Sequence, residues 1–438
     1  MFLGMVLLSS LSAFPLFASA AVTYDGSTYH ASPSPTTAHI FDHTVSGADA
    51  IVLVSVVTYN SGTPVVTATY GGVSLTQLGA TQYSSTNQAN VTTFYLAGVA
   101  TGTQSVEVDT GANYLTYVIV GSYAGVSPSN PIASYEQNID NSNTQLDHSQ
   151  TLSGSVGGGW SLKFTRSANG RIHNAGAGTL RKGNGNTDQT GSLIDTGAGV
   201  SASASSTLTA SAYANYDRFL GTMIKLNPAI SLNTTAYHGA PSPTTSHKFN
   251  LLTDEDDPFL VVNVVSYTSD PGSTTVKYGG TSLVQLGDTQ YSSTNQTRVS
   301  TYYLAAPPTG NLELEVTTTN AVYSYVLAGV YAHVAQTSPV EQHAQVIDDS
   351  NTNASNGQTL SVSTPGAWTV KFTRSANGRV HKSLGGVLRW GNGDIDGTGS
   401  MIDRGYSLVS SGSSSLIAAP SSAYDRYLGT MLAFKPRV

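Results

Sequence analysis

The sequence predicts an all-β protein made of two tandem antiparallel β-sandwich domains of jelly-roll type, and three observations support this. Short runs rich in Val, Ile, Thr and Tyr recur along the 438 residues, separated by Gly, Asn, Ser and Pro. No segment combines a helical period with capping residues. The nine residues KFTRSANGR occur at Lys163–Arg171 and again at Lys371–Arg379, an interval of 208 residues.

The same interval relates other segments, so the chain contains an internal duplication. TQYSSTNQ at Thr81–Gln88 returns at Thr289–Gln296, and the two halves align with almost no insertion or deletion. A period of about 200 residues is too long for a solenoid repeat and fits the size of a domain. We therefore predict one sandwich over residues 21–229 and a second over residues 230–438.

The first 20 residues have the character of an export signal. They are apolar and end in Ala18-Ser19-Ala20, a small-x-small pattern typical of a signal-peptidase site, although no Lys or Arg precedes the apolar run. Ser and Pro interrupt this stretch too often for a membrane span. We predict a signal peptide over residues 1–20, no membrane insertion, and a secreted protein that is extracellular or held at a cell surface.

Composition narrows the classes of partner. The chain has no cysteine, so neither disulfides nor thiol chemistry is expected. The net charge is −7 and there is no basic run, which makes nucleic acids and anionic membranes poor partners. Ser, Thr, Asn, Gln and Gly supply the polarity together with 24 tyrosines. Such a surface is neutral, rich in hydrogen-bonding groups and adhesive in character.

Individual strands can be assigned from β-propensity and flanking turn residues. The strongest predicted strands are Ala50–Tyr59, Val91–Ala97, Gln104–Asp109, Tyr114–Tyr123, Phe219–Leu226 and Tyr427–Phe434. We expect about ten strands in each copy, packed as two sheets.

The repeated KFTRSANGR segment predicts a β-hairpin. Trp160–Arg166 alternates like a strand, and Ser167–Gly170 supplies an Asn-Gly turn in which both residues tolerate positive φ angles. A second strand then begins at Arg171. The arginines that flank the two turns are expected at the surface or in ion pairs, where they could also face a partner: Arg166, Arg171, Arg374 and Arg379.

Several strand and turn motifs resemble an uncharacterised jelly-roll-like β-sandwich domain of secreted bacterial and phage-associated surface proteins. In the second copy Tyr278–Leu283 reads YGGTSL, Tyr303–Gly310 reads YLAAPPTG and Phe434–Pro436 reads FKP. The first copy has YGGVSL at Tyr70–Leu75, but Gly98–Gly102 replaces the Pro-Pro turn. The resemblance implies a surface or appendage protein without catalytic residues.

One segment has the spacing of a calcium-binding loop. Oxygen-bearing side chains occupy positions 1, 3, 5 and 12 and Gly occupies position 6, a pattern that lets alternate residues point at one cation. The candidate ligands in the second copy are Asn392, Asp394, Asp396 and Asp403. A weaker set in the first copy, with Gln189 in place of Gly, is Asn184, Asn186, Asp188 and Asp195. Calcium is the one cofactor suggested; the alternative is an ordinary Asn/Asp/Gly turn.

The TQYSSTNQ segments could contact a ligand or a neighbouring subunit. They are uncharged, and their amides and hydroxyls could hydrogen-bond a sugar while the tyrosine stacks on it. The alternative is a solvated connection between strands. The candidate residues are Tyr83, Asn87, Gln88, Tyr291, Asn295 and Gln296. Trp390, which is Lys182 in the first copy, is a further candidate and is expected to be exposed beside the calcium-like loop.

The sequence carries no recognisable catalytic motif. It contains no Gly-x-Ser-x-Gly elbow, phosphate-binding loop or metalloprotease helix. Glu107 and Glu315 are the only glutamates matched between the copies, and both fall in a predicted regular strand. We therefore expect a protein that is not an enzyme.

The leading hypothesis is a structural or adhesive surface protein that assembles with other copies of itself into a filament or surface layer. Head-to-tail contacts that do not close produce such polymers. The segment Ala21–Ala38, with Pro33 and Pro35, is predicted to add as a strand to a neighbouring sheet edge. One alternative is a tandem carbohydrate-binding, lectin-like pair that binds surface glycans with avidity. Another is a viral coat or appendage protein.

Overall fold

The computed structural model describes residues 22–437, apart from residues 33, 87, 155–156, 168–172, 184–190, 201–203, 213–216, 241, 271, 376–380, 392–398, 409 and 421–424. Within these ranges every strand pairing is antiparallel and no residue is helical. Two similar sets of sheets follow each other along the chain, which confirms the all-β class and the two tandem β-sandwich units. No helix among these residues is long and apolar enough to cross a membrane.

The two copies contain matching series of strands. Those of the first copy are β1 Thr23–Ala31, β2 Thr36–Val45, β3 Ala50–Tyr59, β4 Thr67–Tyr70, β5 Val73–Ser74, β6 Thr76–Gln77, β7 Gln82–Ser84, β8 Ala89–Val99, β9 Gly102–Ala124, β10 Ile132–Gln145, β11 Asp147–Leu152, β12 Trp160–Ser167, β13 His173–Ala177, β14 Thr179–Gly183, β15 Gly191–Asp195, β16 Ser206–Ala212 and β17 Asp217–Leu226.

Those of the second copy are β18 Ser231–Gly239, β19 Thr244–Thr253, β20 Phe259–Tyr267, β21 Thr274–Tyr278, β22 Thr281–Ser282, β23 Val284–Ser292, β24 Thr297–Ala305, β25 Gly310–Ala332, β26 Val340–Asn353, β27 Asn356–Val362, β28 Trp368–Ser375, β29 His381–Gly385, β30 Val387–Gly391, β31 Gly399–Asp403, β32 Gly412–Pro420 and β33 Asp425–Phe434.

The long strand β9 builds the first half of copy 1. Its N-terminal part pairs with β2 and β4, and its C-terminal part pairs with β1 and β3. The nine-stranded sheet to which it belongs therefore folds over, and its two halves face each other. Val54, Val106 and Val118 belong to the apolar core between these halves.

Two further sheets complete the copy and give it more layers than the two predicted sheets. A five-stranded sheet runs β10-β17-β12-β15-β14 and a three-stranded sheet runs β11-β16-β13. Leu53 of the folded sheet packs with Phe164 of the five-stranded sheet, whose Ile194 packs with Leu208 of the three-stranded sheet. Each copy is thus a stack of four sheet layers, and copy 2 repeats the order.

Strands inside this stack are covered on both faces, which explains their continuous apolar sequences. In β3, nine of ten positions are buried. Val52 and Val54 face the other half of the folded sheet, and Ile51 and Leu53 face the five-stranded sheet. Burial of each such side chain contributes about 1.5–3 kcal/mol, so these inner strands carry much of the stability.

The predicted KFTRSANGR hairpin is wrong. β12 pairs with β15 and β17, whereas β13 pairs with β16 in the three-stranded sheet. β28 and β29 repeat this arrangement in copy 2. The residues between the strands, 168–172 and 376–380, lie outside the described ranges. An Asn-Gly pair favours a tight reversal of the chain but does not determine which sheet the next strand joins.

The predicted docking of Ala21–Ala38 on a neighbouring molecule is also wrong for most of that segment. Thr23–Ala31 forms β1, which pairs along its length with β9 of its own copy. Thr36 begins β2, which pairs with β9 as well. The segment forms strands, as its sequence predicts, but these strands belong to the sheet of its own copy.

A short connection joins the two copies. β17 ends at Leu226 and β18 begins at Ser231. The Ala229 amide donates to the Gly125 carbonyl oxygen at 2.9 Å, while Ile230 is part of the apolar core of copy 2. Because both connecting residues are only 2% exposed, the connection is packed into both copies and is not a free linker.

Loops of the two copies also contact each other reciprocally. The Asp49 carboxylate, just before β3, accepts a hydrogen bond from the Ser407 amide at 3.2 Å. Asp256, which directly precedes Asp257, the counterpart of Asp49, accepts one from the Gly157 amide. Each copy contributes the loop before its third strand and a loop beside its five-stranded sheet.

Candidate functional site

A polar cavity of about 290 Å³ opens in the second copy, within the sandwich formed by the folded sheet. We call it the Arg298 cavity. Its walls come from β20, β21, β23, β24 and the residues just before β21. They are Val264, Ser266, Gly272, Ser273, Thr274, Gln285, Thr289, Arg298, Ser300 and Tyr302.

Strand alternation sets the floor of this cavity. Arg298, Ser300 and Tyr302 are alternate residues of β24 and therefore share one face. In the neighbouring strand β20, Ser266 pairs opposite Arg298 and Val264 opposite Ser300. These two residues line the cavity as well. Because the positions are fixed by the sheet register, the polar groups are held in place before any ligand arrives.

The guanidinium of Arg298 is fixed by two contacts. Nε donates a hydrogen bond to the Ser269 carbonyl oxygen at 2.9 Å, and Nη2 donates to the same oxygen. The group also lies over the Tyr291 ring, 4.6 Å from its centroid, a cation–π contact. Arg298 does not take part in any ion pair among the described residues.

The other cavity groups are neutral hydrogen-bonding side chains. The hydroxyl groups of Thr289 and Ser300 are 2.8 Å apart. Tyr302 is 4% exposed, and burial raises the pKa of its phenol, so the hydroxyl stays protonated and can both donate and accept. With the Gln285 amide, the cavity presents several donors and acceptors at short spacing. Such an arrangement suits a ligand that carries several hydroxyl groups.

The first copy has different side chains at the equivalent positions. Phe94 and Val66 replace Tyr302 and Thr274 and belong to the apolar core. Asn90 replaces Arg298, and its Nδ2 donates to Asn60 Oδ1 at 2.5 Å and to the Gly62 carbonyl oxygen at 2.8 Å. Arg298, Tyr302 and Thr274 are therefore particular to copy 2, whereas copy 1 keeps a polar residue at the places of Ser266, Gln285, Thr289 and Ser300, namely Thr58, Gln77, Thr81 and Thr92.

An apolar groove of about 390 Å³ lies in the first copy. Its lining residues are Tyr70, Gly71, Val73, Leu96, Ala97, Gly98, Val99, Ala100 and Gln104. In copy 2 the space over Gly279, the counterpart of Gly71, is occupied. A Cβ atom added there would meet Leu312 at 2.7 Å and Pro308 at 3.2 Å. In the first copy a Cβ atom added at Gly71 would meet the Gln104 side chain at 3.2 Å, so a polar residue stands there in place of Leu312.

The TQYSSTNQ segments are only partly placed at a candidate site. Tyr291 supports Arg298 beside the cavity. Asn295 and Gln296 form the turn into β24, where the Asn295 amide donates to Ser292 Oγ at 3.4 Å and Gln296 has a φ of 46°. In the first copy Tyr83 lies in β7 and Gln88 has a φ of 50°. Asn87 lies outside the described residues.

The first arginine of each KFTRSANGR segment is not at the surface, which corrects the prediction for Arg166 and Arg374. Arg166 and Arg374 are 1% and 2% exposed. Their guanidinium groups lie 5.1 Å from the ring centroids of Tyr59 and Tyr267. Both arginines lie near the C-terminal end of a strand of the five-stranded sheet. Their side chains extend towards a tyrosine of the folded sheet packed against it. Arg171 and Arg379 lie outside the described residues.

Two of the calcium-ligand candidates are held by protein groups. Asp195 and Asp403 are fully buried and accept hydrogen bonds from Arg181 Nε at 2.7 Å and Arg389 Nε at 2.9 Å. Burial raises the pKa of Asp403 to about 6, and Arg389 opposes that shift. The remaining candidates fall outside the described residues: Asn184, Asn186, Asp188, Asn392, Asp394 and Asp396. Calcium binding by those residues stays a prediction.

Trp390 is less exposed than predicted. Its ring stacks on Tyr237, with centroids 4.0 Å apart and planes 11° from parallel. The pair packs against the apolar core of copy 2. Because the Tyr237 ring covers one face of the Trp390 ring, Trp390 is half-buried.

Arg298, Ser300 and Tyr302 were not among the predicted site residues. A signal for two of them is present in the sequence. The two copies are otherwise similar around β24 and β8, yet they differ by Arg for Asn90 and Tyr for Phe94. The difference between Phe94 and Tyr302, inside a strand pattern that the two copies otherwise share, marks a position where copy 2 has a polar group in its interior.

Comparison with known proteins assigns no family. No family model matches the chain, and no curated protein is significantly similar to it. The predicted resemblance to a secreted β-sandwich family therefore stays a prediction.

Solved structures with partial similarity include three of different origin. A conserved protein of unknown function from Pseudomonas aeruginosa PAO1 is 10% identical, with a TM-score of 0.22, over 47% of this chain and 81% of that one. The major capsid protein of bacteriophage PM2 is 9% identical, with a TM-score of 0.19, over 47% of this chain and 98% of the capsid protein. The ANXUR2 extracellular domain of Arabidopsis thaliana is 10% identical, with a TM-score of 0.16, over 49% and 92%.

Proposed function

We propose that this protein is a secreted, non-catalytic surface protein that binds glycans through the Arg298 cavity. The export-like N-terminus and the neutral, hydroxyl-rich composition support a surface location. The observation that carries the proposal is the cavity lining, where hydroxyl groups, an amide and a guanidinium surround a volume of about 290 Å³. Adhesion to a glycan-covered surface is the function that follows from such a site.

The chemistry of binding follows from the lining groups. Sugar hydroxyls would exchange hydrogen bonds with Ser300, Thr289 and the Tyr302 phenol, which are fixed by the sheet. Each such bond contributes a net of about 0.5–1.5 kcal/mol, so affinity for a single sugar is modest. Many copies displayed on one surface would raise the apparent affinity through avidity.

Glycan-array binding followed by titration monitored by NMR tests the proposal. We use Tyr302→Phe and Arg298→Asn, which install the residues that copy 1 accommodates at the same places. Each is expected to weaken binding at least tenfold, about 1.4 kcal/mol. Gln285→Ala should also weaken binding, whereas Gln77→Ala, its counterpart in copy 1, should not. Unchanged binding in the copy 2 variants, or no bound glycan, would contradict the proposal.

Self-assembly into a filament or surface layer is the second candidate function. The apolar groove of copy 1 supports it, because a neighbouring molecule could cover the apolar side chains that line the groove. Val73 lines this groove and is 55% exposed. Light scattering of the mature protein should give a large mass that falls to the monomer in Val73→Asp. A monomer in the unmodified protein would contradict this candidate.

A further inference from the structure

We infer that the Arg298 cavity selects sugars that carry a carboxylate. The inference rests on the proposed glycan-binding function and specifies its ligand class. It is carried by an arginine that lines the cavity and forms no ion pair within the described part of the chain, among walls that are otherwise neutral.

Charge in the cavity comes from one side chain. Of the residues that line it, Arg298 alone is formally charged at neutral pH. The acidic residues closest to the lining in sequence are Asp288, an exposed residue of β23 next to Thr289, and Asp270, whose carboxylate accepts a hydrogen bond from the Gly272 amide at 2.8 Å in its own exposed turn. Neither carboxylate forms an ion pair with Arg298 among the described residues. A positive cavity in a chain with a net charge of −7 therefore favours an anionic ligand group.

Arg298 has donors available for such a group. A guanidinium carries five N–H donors, and the contacts with Ser269 use Nε and one hydrogen of Nη2. The Nη1–Nη2 edge is left for a ligand, in the geometry that binds a carboxylate through two parallel hydrogen bonds. The Tyr291 ring and the Ser269 carbonyl hold the group in one orientation, which lowers the entropy lost on binding.

Copy 1 provides the contrast. Asn90 carries no charge, and its amide is already bonded to Asn60 and Gly62. Arg298→Asn therefore removes the charge with a side chain that this strand position is known to accept. Arg298→Lys keeps the charge but loses the two-point geometry, since an ammonium is a point donor.

Titrations with glucuronate, its methyl ester and glucose test the inference. The ester keeps all the ring hydroxyl groups of glucuronate and adds one methyl group, but it lacks the negative charge. The full-length protein is expected to bind glucuronate at least about tenfold more tightly than the ester, and this preference should fall as salt is raised. The preference should disappear in Arg298→Asn and be reduced in Arg298→Lys, with unchanged thermal midpoints as the folding control.

The outcomes separate the two proposals. Equal affinity of the full-length protein for glucuronate and its ester overturns carboxylate selection. If both sugars still bind and Tyr302→Phe weakens their binding, the proposed glycan-binding function is retained without selection for a carboxylate. If no sugar binds, including in an array that contains acidic glycans, both proposals fail. Retention of the full preference in Arg298→Asn would place the acidic-sugar site elsewhere and also overturn the inference.

Discussion

The carboxylate of Asp403 accepts a hydrogen bond from Arg389 Nε at 2.9 Å and another from the Tyr331 hydroxyl at 3.3 Å. Asp403 and Arg389 belong to the five-stranded sheet, whereas Tyr331 belongs to the folded sheet packed against it. Asp195 repeats both contacts with Arg181 and Tyr123 in the first copy. A buried acid–arginine–tyrosine cluster thus joins the two sheets in each copy.

Replacing Asp403 by Asn should destabilise the protein by roughly 3 kcal/mol, because it leaves the Arg389 guanidinium unpaired in a largely buried site. Urea unfolding measures the loss, and Asp195→Asn is the matched variant in copy 1. We expect the same loss in calcium and in chelator, since protein groups already satisfy the carboxylate. A loss that appears only with calcium would instead support Asp403 as a calcium ligand.

Gly386→Ala should be among the most disruptive single substitutions. Gly386 has a φ of +98°, and an added Cβ would lie 2.5 Å from the Asp403 carbonyl oxygen. Backbone strain and this clash together should cost about 3 kcal/mol or more. Gly280→Ala is the control, because its φ is +83° but nothing lies within 4 Å of the added atom. Comparable losses in the two variants would show that the close approach is not the cause.

His333 should make the protein less stable in acid. Burial lowers its pKa to about 4, an effect that Asp256 opposes and Arg437 reinforces. Because the folded state holds this proton less tightly than the unfolded state, stability present above pH 6.5 is lost as the pH falls towards 4, by about 3 kcal/mol at most. His333→Asn removes the titrating group and tolerates the φ of 60°.

Denaturation midpoints at pH 7, 6, 5 and 4 measure this effect. The stability of His333→Asn relative to the unmodified protein should rise steadily over this series. A constant difference between the two proteins would mean that His333 does not titrate in the folded state with a lowered pKa.

Lys371 should make the protein more stable in mild base. Its fully buried amine donates to Asn356 Oδ1 at 2.7 Å, and burial lowers its pKa to about 7. In the unfolded chain the pKa of this lysine is near 10.5. Between pH 7 and 10.5 the unfolded state therefore binds more protons than the folded state, so stability rises as the pH increases from 7. We expect a gain of about 1–3 kcal/mol by pH 9, reduced in Lys371→Met.

Lys163 provides the comparison for this prediction. It occupies the same place in copy 1, is also fully buried, and burial lowers its pKa to about 7. Lys163→Met should reduce the alkaline gain by a similar amount, and the double variant should remove most of it. An unmodified protein whose unfolding free energy is flat between pH 7 and 9 would contradict the account for both lysines.

The strands and the duplication could be predicted from sequence because their signals are local. Ala50–Tyr59 is apolar at nearly every position, and the structure makes it an inner strand covered on both faces. The partner of each strand could not be predicted in this way. The Asn-Gly of KFTRSANGR indicates a reversal, but the packing of whole sheets determines that β12 and β13 join different layers.

Charged side chains were the main source of error at the candidate sites. All eight residues of β12 are buried, including Lys163 and Arg166. Their charges are accommodated by backbone carbonyl oxygens and by the Tyr59 ring, which come from distant parts of the chain. A pattern of residue types cannot reveal such partners. The Arg298 cavity, by contrast, is signalled by the difference between Phe94 and Tyr302 within an otherwise shared pattern.

The contacts of Asp49 with Ser407 and of Asp256 with Gly157 join the loop before the third strand of each copy to the other copy, in the manner of a homodimer interface enclosed in a single chain, although the paired residues are not counterparts in the repeat. In a true homodimer every substitution is made twice, so a cavity gained by one subunit is gained by both. Fusion of the two halves removes that coupling. One half can keep an apolar side chain such as Phe94 in its interior while its twin carries Tyr302 at the same place, so the two ends of a duplicated chain can become unequal.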